Sequence, residues 1–280
     1  MVGGIGVNFR DAVVIEGIGK RYYTRHNEMI ALADVSLTFH EHEFICLLGP
    51  SGCGKTTLLN LIAGFEKPTS GVIHAFGRPV VGPGPDRTVV FQEYALFPWL
   101  TVSENIQYGL KRLGVPKSKR QDVVSHYIDL IGLSGFAHKY PKQLSGGMRQ
   151  RVALARALAV NPAVLLMDEP FAALDSFTRE RMQDELVRIW QAERKAVVFV
   201  THSIQEAITL ADRIIVMSPC PGRVVEVLKI KDCRPRNLDA SENIVIARLI
   251  RDILHMPTAS HNPKISPNSF IEKSPELHIN

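Results

Sequence analysis

Hydrophobic and polar positions divide the chain into short apolar runs of strand length and longer stretches of helical spacing. Near the start, Val13-Val14-Ile15, Ile30-Ala31-Leu32 and Val35-Ser36-Leu37-Thr38-Phe39 alternate with turns and predict small antiparallel strands. Phe44-Ile45-Cys46-Leu47-Leu48 carries no polar residue, which fits a strand buried on both faces, and Leu58-Leu59-Asn60-Leu61-Ile62-Ala63 continues as a helix. A turn at Pro68-Thr69-Ser70-Gly71 precedes a strand from Val72 to Gly77. Val81-Gly82-Pro83-Gly84-Pro85-Asp86-Arg87 is too rich in Gly and Pro for anything but loop. Thr88-Val89-Val90-Phe91 is a second buried strand ending at Gln92.

From Leu96 to about Lys142 the spacing turns helical. Thr101 followed by Glu104 predicts a capping box, and Val123, Tyr127, Leu130 and Ile131 recur at three and four, as on an amphipathic helix. This reads as a helical insertion between two core strands. Beyond it come a helix through Val152, Ala153, Ala155 and Leu158, a strand Ala163–Met167, and a helix from Phe177 to Glu193 that carries Met182, Leu186, Ile189 and Trp190 on one face. The strands Ala196–Val200, Ile214–Met217 and Val224–Leu228 complete the core. After Arg236, Ile246, Leu249, Ile250, Ile253 and Leu254 share a helical face until Pro257 ends it. Residues 257–280, rich in Pro, Ser and Asn, read as a disordered tail. Strands alternating with helices make this an α/β protein.

Composition narrows little. The chain has 280 residues, enough for one large or two small domains, and its net charge of +5 suits nucleic acid, an anionic membrane or a nucleotide equally. The four cysteines show no paired C-x-x-C spacing, and Cys53 lies in a glycine-rich loop that a disulfide would distort, which favours a reducing cytoplasm. No apolar run is long enough to span a bilayer, and no signal peptide is recognisable.

The chemistry starts at Gly49-Pro50-Ser51-Gly52-Cys53-Gly54-Lys55-Thr56, with Thr57 following, set between the buried strand and a helix. This is the Walker A pattern. Its glycines let backbone N–H groups close around phosphate oxygens at the positive end of the helix, Lys55 reaches the outer phosphates, and the Thr56 hydroxyl is placed to ligate Mg²⁺. Ser145-Gly146-Gly147 opens another helix and is a second candidate anion nest, although a serine cap with glycines for a tight turn is the plain alternative. Asp168 ends a strand where a carboxylate can hold the water shell of Mg²⁺, and Glu169 can accept a proton from an attacking water. Gln92 and His202 stand at strand ends where ligands of open α/β sheets collect, and His202 can reach a terminal phosphate oxygen; a solvated amide and a structural hydrogen-bond donor are the plain alternatives. Tyr22 or its neighbour Tyr23 could stack on a base or simply pack a strand. His40-Glu41-His42-Glu43 invites a metal reading, but with no further ligand marked nearby a polar turn is preferred.

Taken in order, the phosphate loop, Gln92, Leu144-Ser145-Gly146-Gly147-Met148, Asp168-Glu169, Asp175 and His202 resemble the ATP-binding subunit of an ABC transporter, over roughly residues 12–236. The resemblance implies a phosphate-loop NTPase core with an antiparallel β subdomain and a helical subdomain at about 96–150, preceded by an arm at 1–11 and followed by a C-terminal helix at 237–256. It implies ATP and Mg²⁺ as ligands. Residues Gly49 to Thr57 hold phosphates, Thr56, Gln92 and Asp168 hold the metal, Glu169 is the general base, His202 contacts the γ-phosphate, and Tyr22, with Tyr23 as the alternative, stacks on adenine. Ser145, Gly146 and Gly147 face the nucleotide of a second copy of the chain, with Asp175 near that junction. Ala172 stands where the family usually has Ser, which puts one cross-interface hydrogen bond, not the activity, in question. Gly82 to Arg87, Leu96-Phe97-Pro98-Trp99, Met148-Arg149-Gln150-Arg151, Pro221-Gly222-Arg223 and Arg234-Pro235-Arg236 are similar to the nitrate, sulfonate and taurine importer group. That implies permease subunits as partners, a solute-binding protein reached indirectly, no nucleic acid, and a peripheral place on the cytoplasmic face of the membrane. An exporter ATPase or a soluble ABC ATPase is the alternative.

Overall fold

The structure is a computed structural model that describes residues 10–23, 27–172 and 174–255. Its first apolar runs do not form several small strands. They merge into two long ones, β1 (Asp11–Tyr23) and β2 (Glu28–His40), paired antiparallel with register shifts between Ile15 and Arg21. Each irregularity resets the period-two pattern, so a continuous strand looks interrupted in the sequence. There follow β3 (Phe44–Leu48), α1 (Lys55–Ala63), β4 (Ser70–Ala75), β5 (Arg78–Pro79), β6 (Arg87–Val90), α2 (Val102–Arg112), α3 (Lys117–Leu130), α4 (Gly146–Ala159), β7 (Val164–Asp168), α5 (Ser176–Glu193), β8 (Ala196–Thr201), α6 (Ile204–Leu210), β9 (Arg213–Met217), β10 (Val224–Lys229) and α7 (Ser241–His255).

Two sheets result. One is antiparallel, in the order β2-β1-β4-β5; the other runs β10-β9-β3-β8-β7-β6 and is parallel except for the β9–β10 pair. Strand β3 lies inside the second sheet and explains its unbroken apolar sequence. Phe44, Cys46 and Leu48 face one core, shared with α4, α5 and the helical insertion, while Ile45 and Leu47 face the other, shared with α1, β1 and β2. The phosphate loop therefore leaves a strand that is held on both faces.

In the helical insertion the capping box forms as expected. The Thr101 hydroxyl accepts the Glu104 N–H at 3.3 Å, and the Glu104 carboxylate accepts the Thr101 N–H at 2.8 Å. The buried stripe of α3 is shifted from the expected one: Val124, Tyr127 and Ile128 are buried, with Ile131 just past the helix, whereas Val123 and Leu130 are half-buried. Tyr127 decides the shift, because its hydroxyl donates to the Leu158 carbonyl of α4 at 3.1 Å and draws that face inward. Asn105, fully buried in α2, fastens the preceding loop. Its amide donates to the carbonyls of Phe97, Leu100 and Thr101 at 3.2, 3.0 and 2.9 Å, and its carbonyl accepts the Phe97 N–H at 2.9 Å.

The end of the chain is less apolar in use than in pattern. Helix α7 buries Ile250 and half-buries Ile246, Ile253 and Leu254, but Leu249 is exposed. Ahead of it, two arginines clasp the C-terminus of α6. Arg234 donates to the Leu210 carbonyl, pairs with Asp212 at 2.8 Å and lies over the Trp190 ring; Arg236 donates to the carbonyls of Ile208 and Ala211 at 2.7 and 2.6 Å. These carbonyls are the unpaired acceptors of a helix end, where cations are favoured. Burial beside Arg234 lowers the Arg236 guanidinium to a pKa of about 10. The expected tail at 257–280 and most of the arm at 1–11 lie outside the described residues. Glu41 and His42 form a turn after β2, and among the described residues no group of His, Cys, Asp and Glu could hold a metal ion.

Candidate functional site

Because β3, β8, β7 and β6 run in the same direction, their C-terminal ends line up on one edge of the sheet. Leu48 pairs with Thr201, Asp168 with Val200, and Val90 with Met167. The phosphate loop, His202, Asp168-Glu169 and the segment with Gln92 all emerge along that edge, where ligands of such sheets bind.

The loop is shaped by close backbone approaches. Gly54 caps α1 in the left-handed region with φ 90°, and a Cβ there would lie 2.9 Å from the Ala31 carbonyl oxygen. A second glycine, distant in sequence, braces the loop from behind. Gly222 bonds to β2 through its N–H to Ala31 at 2.9 Å and its carbonyl to the Ala33 N–H at 3.0 Å, and a Cβ on it would come within 2.1 Å of the Cys53 carbonyl oxygen. Nothing in the local pattern around Gly222 marks this role; only the fold brings it there. Cys53 is buried, and burial pushes its thiol up. Lys55 is buried, and its ammonium donates to the loop's own Gly49 and Pro50 carbonyls at 2.8 and 2.9 Å. Reaching a phosphate means exchanging those carbonyls for phosphate oxygens.

Thr56 and Asp168, 112 residues apart, meet at the sheet edge, where the Thr56 hydroxyl donates to the Asp168 carboxylate at 3.1 Å. A hydroxyl and a carboxylate side by side are hard oxygen donors, the set that suits Mg²⁺ rather than a softer metal. Burial pushes the Asp168 carboxyl up, with the neighbouring Glu169 charge adding to the rise, against the opposing pull of Thr56 and Lys55. Glu169 has a positive φ of 42°, rare for a residue with a side chain, and its N–H bonds the Val200 carbonyl at 3.1 Å. Its carboxylate lies 3.1 Å from His202 Nδ1. The two residues singled out for acid–base and phosphate contact thus face each other.

Gln92 is exposed, and β6 ends at Val90 rather than at Phe91, whose ring leaves the sheet to stack on Phe65 with centroids 6.2 Å apart. Arg156 of α4 donates to the carbonyls of Tyr94 and Ala95 and so ties the Gln92 segment to α4. Tyr22 is half-buried and donates its hydroxyl to Glu66 at 2.7 Å, with the Lys20 ammonium 4.9 Å from its ring centroid; Tyr23 is 70% exposed. Burial and the Glu66 bond push the Tyr22 hydroxyl up.

Ser145, Gly146 and Gly147 open α4, with the Ser145 hydroxyl accepting the Met148 N–H at 3.3 Å, so the residue is a helix cap whatever else it does. The nest borders a cleft of about 650 Å³, lined also by Tyr94, Asp175 and Thr178. None of residues 49–57 lines that cleft. Asp175 caps α5, accepting the Thr178 N–H at 2.9 Å, and those N–H groups hold its carboxyl below the usual range. Sequence reasoning passed over Glu206, a buried acid in α6 that accepts a hydrogen bond from the Thr201 hydroxyl beside His202. Its signal is faint, an acid three residues into a short helix, where capping is the ordinary explanation.

The model of the ABC transporter family matches residues 32–172, a stretch that starts in β2 and ends just past Glu169. The chain belongs to the ABC transporter family. As a member it is an ATPase coupled to transport. It is 49% identical over 240 residues to an uncharacterized ABC transporter ATP-binding protein of Methanocaldococcus jannaschii, covering 86% of this chain and 90% of that one. It is 48% identical over 226 residues to the nitrate import ATP-binding protein NrtD of Synechococcus elongatus, covering 80% and 82%. The bicarbonate transport ATP-binding protein CmpD of Synechocystis is 44% identical over 230 residues, covering 81% and 82%. A solved dimeric ATP-binding cassette in a post-hydrolysis state, bound to ADP and Pi, superposes with a TM-score of 0.69 at 34% identity, over 79% of this chain and all of that one. The fold expected from the sequence, a phosphate-loop NTPase core with antiparallel and helical additions, is the fold of that cassette.

Proposed function

We propose that this chain is the ATP-hydrolysing subunit of an importer for a small anion or organic solute such as nitrate, sulfonate or taurine, working as a head-to-tail dimer on permeases at the cytoplasmic face of the membrane. The observation that carries the dimer is the separation of the two nests: the cleft beside Ser145 and Asp175 includes no residue of the phosphate loop. One chain then cradles the phosphates of an ATP with Gly49 to Thr57, and the second copy covers them with Ser145, Gly146 and Gly147. ATP is bound between the two copies, and loss of its γ-phosphate separates them. The nitrate and bicarbonate relatives support the importer reading.

Thr56, Asp168 and Gln92 fit as the holders of Mg²⁺, which when bound offsets charge on the phosphate oxygens. Glu169 accepts the proton of the attacking water, and His202, oriented by the same carboxylate, donates to the γ-phosphate. Tyr22, half-buried with its hydroxyl held by Glu66 just past the end of α1, stacks on adenine. Exposed Trp99 and Tyr108 flank half-buried Phe97, whose ring lies 4.4 Å from Tyr108 and 5.7 Å from Trp99; this aromatic group lies beyond Gln92 and suits a permease contact.

Light scattering of the Glu169→Gln protein tests the dimer. A doubling of mass on adding ATP, absent with ADP, is expected; a protein that binds ATP and stays monomeric sinks the proposal. Purifying the tagged chain from membranes of its own host and identifying the permease that accompanies it tests the importer reading, and an exporter or no permease at all would overturn it.

A further inference from the structure

Glu206 is 6% exposed, and no step of the phosphate chemistry touches it. One of its carboxylate oxygens accepts the hydroxyl of Thr201, the residue before His202. That same hydroxyl accepts the N–H of Ser203, the residue after His202, at 3.0 Å. Both flanks of His202 therefore hang on one hydroxyl, and Glu206 fixes where that hydroxyl points. The other carboxylate oxygen lies 3.7 Å from Nε of Arg179 in α5, and Arg179 donates through Nη2 to the Leu174 carbonyl at 2.8 Å, one residue before Asp175.

A buried carboxylate is costly unless it is paired, and burial pushes this one up despite the pull of Thr201 and Arg179. The pairing is incomplete. At 3.7 Å the Arg179–Glu206 contact is about 0.8 Å longer than a charge-assisted hydrogen bond of about 2.9 Å, and Nε of Arg179 is buried without a hydrogen-bond partner. A shift of under an ångström at Leu174 and Asp175 is enough to close or widen it.

We propose that Glu206 is a positioning residue that ties the orientation of His202 to the loop carrying Asp175, so that docking of a second copy against Asp175 is felt at the Glu169–His202 pair. This rests on the reading of Glu169, His202 and Asp175 given above. The chain of contacts is continuous, from Leu174 carbonyl to Arg179, to Glu206, to the Thr201 hydroxyl, to the backbone on either side of His202. It gives each copy a way to adjust its hydrolytic pair as its partner arrives.

The test uses the full chain with Glu206→Gln, Glu206→Ala and the double variant Arg179→Met/Glu206→Gln, measuring kcat, KM for ATP and the dependence of rate on protein concentration. Glu206→Ala is expected to lower kcat by about tenfold to a hundredfold, the scale of an ångström misplacement, with ATP affinity within about twofold of wild type. Glu206→Gln keeps the acceptor for Thr201 and is expected to recover part of kcat while flattening the concentration dependence, because the charge link to Arg179 is gone. Adding Arg179→Met to it should then change kcat by less than about twofold, since the contact is already broken. Unchanged kcat in Glu206→Ala, or a loss matched by an equal loss of ATP affinity and of melting temperature, would overturn the proposal. Failure of the underlying reading looks different: Glu169→Gln or His202→Ala would then leave hydrolysis at the wild-type rate, whatever the Glu206 variants do.

Discussion

Replacing Asn105 with Leu tests whether the segment between Gln92 and α2 is held by one buried amide. The side chains share the same branched four-atom skeleton, so the change removes the hydrogen bonds while keeping the shape, with two bulkier methyl groups in place of the amide oxygen and nitrogen. Of the backbone groups that Asn105 serves, the Phe97 carbonyl still accepts the Leu100 N–H at 3.1 Å, and the Thr101 carbonyl still accepts the Asn105 N–H at 2.8 Å. The Phe97 N–H and the Leu100 carbonyl lose the partners they have. Each buried unsatisfied group costs about 1–3 kcal/mol, so the variant should lose about 2–5 kcal/mol after allowing for half-exposure of the loop. The loss is local, since Asn105 lies in the helical insertion and not in the sheet. Hydrogen exchange followed by mass spectrometry should show faster exchange through residues 97–112, with peptides of β3, β7 and β8 unchanged and ATP affinity retained. Because Phe97, Trp99 and Tyr108 sit in or beside this segment, coupling to a permease should fall while nucleotide binding persists. Uniform protection across the protein, or a destabilisation under about 1 kcal/mol, would refute the idea that the amide holds the segment.

Further outcomes follow from the phosphate loop. Gly222→Ala must open the 2.1 Å approach to the Cys53 carbonyl by about 0.9 Å to reach the 3.0 Å that real Cβ contacts require, and titration with a fluorescent ATP analogue should show weaker binding by about tenfold or more. Lys55→Ala should abolish hydrolysis and transport with the circular-dichroism spectrum unchanged; retained uptake would contradict the ATP site. Tyr22→Ala should raise KM for ATP while Tyr22→Phe, which keeps the ring and drops only the bond to Glu66, should not, and Tyr23→Ala should be silent; the reverse pattern would assign the base to Tyr23.

Much of the site was legible because its chemistry sits at strand ends. Asp168, Glu169 and His202 stand at the ends of apolar runs, and Thr56 follows the loop that leaves another; in a parallel sheet such runs place their ends on a common edge. The pairings of Thr56 with Asp168 and of Glu169 with His202 are consequences of neighbouring strands, and strand order is not written locally. The same holds for Gly222 and Glu206, whose partners lie in β2, the phosphate loop and α5. Where the pattern misled, one contact decided the matter: Tyr127 reaching Leu158 turned α3 by about a residue, and the irregular register of β1 hid a long strand behind short apolar runs. Leu249 fits the helical period of α7 and is nevertheless exposed, because periodicity says which residues share a face and not how wide the supporting surface is.

The clasp of Arg234 and Arg236 on α6 bears on where this molecule can be cut. The family match stops at residue 172, yet α6, which begins two residues after His202, has its far end closed by side chains about sixty residues beyond that limit. A chain shortened ahead of Arg234 exposes the carbonyls of Ile208, Leu210 and Ala211 and frees α6 to slide, while every residue of the phosphate chemistry is still present. Such a protein should bind nucleotide and hydrolyse it poorly. The smallest working unit is therefore defined by the last side chain that grips α6, not by the last residue that resembles a relative.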